Sequence, residues 1–394
     1  MTIVQINATC TAGSTGRICC EVSRLLDGRG VENYILHTQG GCDHPCGIEY
    51  AGYAYLKLQA LRSRVTGNYG FLSQQATRRL LRELDRIRPD VVHLHNLHGH
   101  NVHLGMLMDY LRERKIKVFW TFHDSWAFTG YCPCPDAVEC TAWQEECRQC
   151  PLSRRFCWVG DRSAQLFRRK HALIRNMDLT VITPSRWMAE QVRRSFFREY
   201  PCYVIRNGLD TAVFRPTESD FRVRYGLEGK KLLLGVARMW SVRKGLDVFS
   251  ELAERLDDTY EIALVGVDRR TAAGLPRRIR CLPRMESPTQ LAAVYTAADL
   301  FINPTRAETL GMVNLEALAC GTPVVTFDTG GSPECLDETC GLVVPKNDVD
   351  ALVDAIHRLT FAETCSPEAC RAFAERFSAE KVFQKYLTLY GLES

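Results

Sequence analysis

An α/β fold built on parallel sheets is what this 394-residue sequence predicts, because short apolar strands alternate with longer helix-periodic segments from end to end. The alternation runs through once, is broken by a turn-rich passage around Asn207-Gly208 and Arg215-Pro216, and then begins again at Lys231. The length is sufficient for two separate cores. We therefore expect two similar-sized α/β domains, at residues 1–207 and 208–377, facing each other across a cleft.

The elements follow in order. Residues 2–7 read as a strand broken by Gln5 and Asn7, residues 15–27 as a helix and residues 31–37 as a strand. Between the first two lies the loop Thr11-Ala12-Gly13-Ser14-Thr15-Gly16-Arg17. Gly13 and Gly16 let the backbone approach a ligand there, and Ser14 or Thr15 is placed to cap the helix. No Gly-Lys-Thr/Ser follows, so it is not a Walker loop. A helical, arginine-studded region covers residues 53–88. Next come a strand at 90–95, a helix at 102–115, a strand at 116–122 and a cysteine-rich insertion at 130–160. Helices at 164–176 and 186–197 and extended segments at 179–183 and 203–205 complete the first half. The second half opens with a strand at 231–237 and ends with a strand at 341–344 and a helix at 348–359. A final helix covers residues 379–390.

Bulk properties exclude several classes of function. Hydrophobic content of 46% and charged content of 24% are ordinary for a globular protein, and a formal charge of +4 is too small to argue for nucleic acid. No apolar run approaches the roughly 18 residues of a membrane span. The segment MTIVQINATC lacks the basic start and long apolar core of a signal peptide. A cytoplasmic location is expected, with the 18 cysteines mostly reduced.

The stretch NPTRAETLGMVNLEALACGTPVV, residues 303–325, carries the most chemistry. Glu308 lies in a loop after an apolar strand, Gly311 opens an amphipathic helix, and Glu316 falls inside that helix. Free N–H groups and the dipole at a helix start attract phosphate. One acid beside that phosphate and another along the helix suit the hydroxyls of a hexose and a ribose. Upstream, LLLGVARMWSVRKG runs an apolar strand into Arg238, with Lys244-Gly245 at the next helix start. Cations at the carboxyl ends of parallel strands meet a diphosphate where such folds bind ligands.

With this Arg…Lys pair and E-x7-E motif the chain resembles the retaining glycosyltransferases of the GT-B fold, specifically family four, the group 1 glycosyl transferases, and it resembles members that build bacterial exopolysaccharide and capsule. The resemblance spans nearly the whole chain. It implies two Rossmann-like domains, the first binding the acceptor and the second a nucleoside-diphosphate sugar, and a last helix, residues 378–394, that returns to the first domain. It implies that Arg238, Lys244 and the amides of Leu310, Gly311 and Met312 hold the diphosphate, Glu308 the sugar hydroxyls and Glu316 the ribose. Gly13 and Gly16 belong to a loop that contacts the phosphate region, and His123 points at the transferred sugar. No cofactor is required for the chemistry it implies: attack occurs on the same face, with the leaving phosphate helping to deprotonate the acceptor. Glycan or lipid-linked glycan acceptors at the inner face of a bacterial membrane are the expected partners.

Other clusters leave alternatives open. Five histidines crowd residues 93–103; His95, Asn96 and His98 form a polar floor for the acceptor, in preference to a transition-metal site. Asp124 either fixes the tautomer of His123 or caps its loop. Cys147-x2-Cys150 has the bite of a zinc knuckle, which Cys132 or Cys134 with Cys140 would complete as a structural site; free thiols or a redox disulfide are the competing readings. Arg78, Arg79, Arg82 and Arg86 on one helix, with Arg168, Arg169 and Lys170 on another, are either solvated surface or a peripheral grip on anionic lipid. Two rival functions stand beside transfer: a nucleotide-sugar 2-epimerase of the same fold, and a zinc-stapled, non-catalytic binding protein.

Overall fold

The computed structural model describes residues 1–11, 13–42, 44–361 and 365–392; Ala12 of the first loop lies outside them. The chain forms two compact units, one of Met1–Arg206 with Phe383–Ser394 and the other of Asn207–Val382.

The first unit holds seven strands: β1 (Thr2–Ile6), β2 (Glu32–His37), β3 (Gly47–Glu49), β4 (Val91–Leu94), β5 (Lys117–Thr121), β6 (Leu179–Thr183) and β7 (Cys202–Val204). All pair in parallel, in the order β3-β2-β1-β4-β5-β6-β7. Strands covered on both faces need near-continuous apolar side chains. Val4, Ile6, Val92, Leu94, Val118, Trp120 and Val181 meet that need in one core with Leu80, Leu84, Leu107 and Leu111 from the helices. Helix Gln74–Ile87 turns Leu80 and Leu84 inward and leaves Arg78, Arg79, Arg82 and Arg86 exposed.

Three boundaries differ from the sequence reading. The expected helical region 53–88 is two helices, Tyr53–Thr66 and Gln74–Ile87, because Gly67 takes a left-handed φ of 70° and closes the first on Ser63. The helix begun at Arg186 stops at Arg194, where Ser195 swings to an extended ψ of 179°. Strand β3 went unrecognised because it is three residues long and only half-covered. The cysteines are not all free either: Cys10, after β1, is bonded to Cys42, with Cα atoms 5.2 Å apart.

The second unit holds β8 (Lys231–Val236), β9 (Tyr260–Val265), β10 (Ile279–Leu282), β11 (Leu300–Asn303), β12 (Val324–Phe327) and β13 (Gly341–Val344), again all parallel. Their order is β10-β9-β8-β11-β12-β13. The chain winds outward from β8 to β10 and then restarts on the other side at β11. The topological switch point, where open parallel sheets bind ligands, therefore lies between β8 and β11. Leu233, Ile262 and Leu264 pack with Phe249 and Ile356 on one face. Leu232, Leu234 and Phe301 pack with Leu315 and Leu318 on the other. Among the described residues no helix is long and apolar enough to cross a membrane.

Helix Ala379–Tyr390 brings the chain end back to the first sheet. Tyr390 Oη lies 2.6 Å from Nδ1 of His93 on β4, and Thr121 Oγ1 on β5 lies 2.7 Å from Nε2. His93 is therefore a fully buried core residue. Burial lowers its pKa to about 3, so the ring stays neutral.

Between pH 3 and 6.5 the unfolded chain binds a proton at His93 that the folded chain refuses, so stability rises with pH across that window. We expect this ring to cost about 2 kcal/mol of stability on going from pH 7 to pH 5. Thermal unfolding should show a smaller acid-induced drop in Tm for His93→Asn than for the parent chain; equal slopes would refute the assignment. Tyr390→Phe should lower stability by about 1–3 kcal/mol at pH 7, because it strands a buried ring nitrogen.

Candidate active site

Two loops lie side by side at the carboxyl edge of the second sheet. After β8 the chain passes Arg238 and enters a 3-10 turn, Val242–Lys244, before Gly245 starts helix Leu246–Arg255. After β11 it passes Pro304–Leu310 before Gly311 starts helix Met312–Ala319. The loops are joined by two hydrogen bonds: Arg306 N–H donates to Arg243 O at 2.8 Å, and the side-chain Nη1 of Arg243 donates to Ala307 O at 3.1 Å. Arg306 also grips Asp247 with both guanidinium ends, each at 2.8 Å. Gly245 has φ 76°, and a Cβ there would meet Pro304 O at 2.4 Å, so only glycine allows this approach.

The locked loops bring Lys244 and Glu308 together, Nζ to Oε2, at 2.5 Å. Both remain about one-fifth exposed, so an incoming ligand can reach them. The backbone of Glu308 is fixed from the third loop, after β12: Gly331 N–H donates to Glu308 O at 3.0 Å. Arg238 is exposed, with no ion-pair or hydrogen-bond partner for its side chain among the described residues.

Helix Met312–Ala319 is not the amphipathic surface helix the sequence suggested. Asn314 through Ala319 are all buried, Glu316 included. Glu316 accepts a hydrogen bond from Tyr295 Oη at 3.1 Å, a partner on helix Pro288–Ala297 that the motif did not reveal. Asn303 Nδ2 donates to Asn314 Oδ1 at 2.7 Å, which turns Asn314 Nδ2 toward Gly311. That Nδ2, with Thr329 Oγ1 and Ser332 Oγ, is buried and has no partner among the described residues. The N–H groups of Leu310, Gly311 and Met312 likewise make no backbone hydrogen bond among them. Unpaired buried donors are uncommon and point to a ligand or solvent partner. The chemistry of the set is that of an anion site.

The first unit gathers a second polar cluster at the ends of β1, β4 and β5. Gln5, fully buried, donates through Nε2 to Cys19 O at 2.9 Å and to Ser23 Oγ at 2.8 Å. A carbonyl only accepts, so the amide cannot be flipped and Gln5 Oε1 faces His95 Nε2 at 3.2 Å. His95 must then carry its proton on Nε2 and accept on Nδ1 from His123 Nε2, 3.1 Å away. Burial holds His95 well below its usual pKa and His123 down to about 4, so both rings are neutral. The consequence is a defined tautomer: His123 has Nε2–H and an accepting Nδ1.

One expectation changes here. His95 is 1% exposed and supports His123 rather than lining an acceptor floor. Of the two roles open to Asp124, the structure shows the cap: it accepts from Trp126 N–H and pairs with His98 Nε2 at 2.8 Å. Asn96 is half-buried, and its backbone N–H donates to Asn7 Oδ1 at 3.1 Å, tying the loops after β1 and β4. Gln5 and Asn7 had a signal in the sequence, as polar residues inside an apolar strand.

In the first loop, Gly13 has φ 77° and itself begins helix Gly13–Asp27, so neither Ser14 nor Thr15 caps it from outside. Gly16 is buried, and a Cβ there would meet Cys10 O at 2.4 Å, so close packing against the loop requires glycine. Lys170 leaves the basic face assigned to it, being fully buried with Nζ on Trp126 O and Thr129 O at 2.6 and 2.9 Å. Arg169 is half-buried over the Phe71 ring, and Arg168 pairs with Glu146 at 2.9 Å. Cys132, Cys140, Cys147 and Cys150 all line one small cavity.

Residues 15–213, half of the chain, match the family described as Glycosyltransferase Family 4, and residues 230–360 match Glycosyl transferases group 1. Over 99% of both chains the sequence is 23% identical to WcaC of Escherichia coli strain K12, named for glycosyl transfer in colanic acid biosynthesis. Among solved structures, sucrose-phosphate synthase of Thermosynechococcus elongatus superimposes with a TM-score of 0.74 at 19% identity, covering 99% of this chain and 98% of that one. Anabaena HepE, solved with UDP and glucose, gives 0.69 at 16% identity over 99% of each. With two parallel α/β units and these matches, the chain belongs to glycosyltransferase family four, the group 1 glycosyl transferases, and has the GT-B fold.

Proposed function

We propose that the second unit binds a nucleoside-diphosphate sugar and that the enzyme passes its hexose, with retention of configuration, to an acceptor hydroxyl. The observation that carries this reading is the Lys244–Glu308 pair at the switch point, beside buried donors that lack partners. A diphosphate entering between them takes the ammonium of Lys244 and frees Glu308 to accept hydrogen bonds from sugar hydroxyls. Arg238, an exposed cation without a competing partner, supplies a second positive charge. Asn314 Nδ2, Ser332 Oγ, Thr329 Oγ1 and the amides of Leu310, Gly311 and Met312 complete the anion's coordination. Glu316, with one oxygen held by Tyr295, accepts from the ribose hydroxyls.

In the transfer the bond from the anomeric carbon to the phosphate oxygen breaks, and its electron pair stays on that oxygen. The acceptor oxygen bonds to the same carbon from the same face, and its proton passes to the departing phosphate. Negative charge grows on the leaving diphosphate, so preorganised cations and N–H groups lower the barrier. No metal is needed in this scheme, since Arg238 and Lys244 occupy that role. His123, fixed with an accepting Nδ1, is suited to a sugar hydroxyl.

The acceptor class is read from the kinship with WcaC. We propose a growing bacterial surface polysaccharide, lipid-linked at the inner membrane face of a cytoplasmic enzyme, with Arg78, Arg79, Arg82 and Arg86 toward anionic headgroups. UDP-glucose, the donor class seen with HepE, heads the panel of sugars to test.

The deciding experiment measures nucleoside-diphosphate release from a nucleotide-sugar panel, with and without bacterial lipid extract. Release that requires the extract supports the reading. Epimerisation of the sugar without any acceptor, or absence of nucleotide binding by calorimetry, would overturn it. Lys244→Ala should lower kcat by roughly 10²–10³-fold with the circular dichroism unchanged. Tyr295→Phe should instead raise KM several-fold and spare kcat, because it loosens only the carboxylate that holds the ribose.

A further inference from the structure

The cysteine-rich insertion does not enter the transfer chemistry, yet it is the most unusual part of the first unit. Its backbone is short turns, Pro135–Val138 and Ala142–Gln144 in 3-10 form and one helical turn, Ser153–Phe156. Such a segment has few means of holding a single conformation. From its six cysteines the fold selects four: Cys132, Cys140, Cys147 and Cys150 line one cavity of about 20 Å³, while Cys134 and Cys157 stay off it. A cavity of that size has room for about one small occupant.

One backbone N–H already points at a sulfur of this set, Gly130 N–H donating to Cys147 Sγ at 3.2 Å. Behind it sits Lys170, whose Nζ contacts only carbonyl oxygens, those of Trp126, Thr129 and Gly130 at 2.6, 2.9 and 3.3 Å, and the face of Trp126 at 3.6 Å. Burial by itself favours the neutral amine of Lys170, and negative charge nearby favours the ammonium. Gly130 connects the two features, donating to Cys147 and accepting from Lys170, and a Cβ on it would meet Ser163 O at 2.6 Å.

We propose that Cys132, Cys140, Cys147 and Cys150 bind one zinc ion as a structural tetrathiolate site, and that Lys170 supplies part of the balancing charge. Binding replaces four thiol protons with one Zn²⁺, leaving a centre of charge −2 beside one ammonium. Around tetrahedral zinc the sulfurs stand roughly 3.8 Å apart. In the structure no three of these four sulfurs lie within 4.8 Å of one another, so the proposal requires the thiols to turn inward on binding. The tighter trio Cys10, Cys20 and Cys42 is not a rival, because Cys10 and Cys42 are bonded to each other.

The test uses the full-length chain, expressed with zinc in the medium and dialysed against a mild chelator. Elemental analysis should find one zinc per chain, and exchange with Co²⁺ should give the ligand-field and charge-transfer bands of a tetrahedral cobalt thiolate. Cys140→Ser and Cys147→Ser should lose the metal, while Cys202→Ser, outside the insertion, should keep it. Should those variants fail to fold, the parent chain alone decides. Absence of zinc together with absence of the cobalt bands overturns the proposal, as does mass-spectrometric detection of a disulfide among the four cysteines.

Discussion

Two loops from neighbouring strands cannot both lie at the carboxyl edge of a sheet without settling their own polar groups first. In the second unit that constraint is met by one backbone bond from Arg306 to Arg243, by the Arg243 guanidinium on the carbonyl of Ala307 and by the forked grip of Arg306 on Asp247. Once those bonds are made, the spacing of Lys244 and Glu308 is no longer adjustable. Their contact follows from the loop bracing, and the side chains need not search for each other. Preorganisation of this kind matters for an enzyme, because charge placed in advance costs no rearrangement while the reaction proceeds. Gly245 is the point where the bracing would fail, since any side chain there collides with Pro304.

The first unit meets a comparable constraint with neutral groups. Gln5, His95 and His123 form a chain whose proton positions are dictated by one carbonyl, that of Cys19. Each link has a single acceptable polarity, so a choice made deep in the sheet fixes which nitrogen His123 presents. His98 and Asp124 form a separate, charged pair beside it. Charge and neutrality are thus assigned to adjacent rings by burial and by partner, not by residue type.

Much of this could be read from the chain itself. Strand and helix alternation gave both sheets, and the spacing of Glu308, Gly311 and Glu316 gave the second loop. The partners that complete the site, Tyr295, Thr329 and Ser332, come from elements with no motif of their own, and only tertiary packing brings them in. Lys170 was misread for a different reason. Its neighbours Arg168 and Arg169 suggested a basic surface, but the buried residues of its helix are Ser163, Leu166, Phe167 and Lys170. That spacing puts the lysine on the apolar stripe, so periodicity held the answer and composition hid it.

The last helix has an implication for biogenesis. His93 finds its partner in Tyr390, 297 residues later, whereas the second unit is one continuous segment. During synthesis the second sheet can close as soon as its own residues leave the ribosome. The first must wait, with a polar ring exposed in its half-built interior, until helix Ala379–Tyr390 has also emerged. Loss of that helix would therefore be felt at the centre of the domain made first.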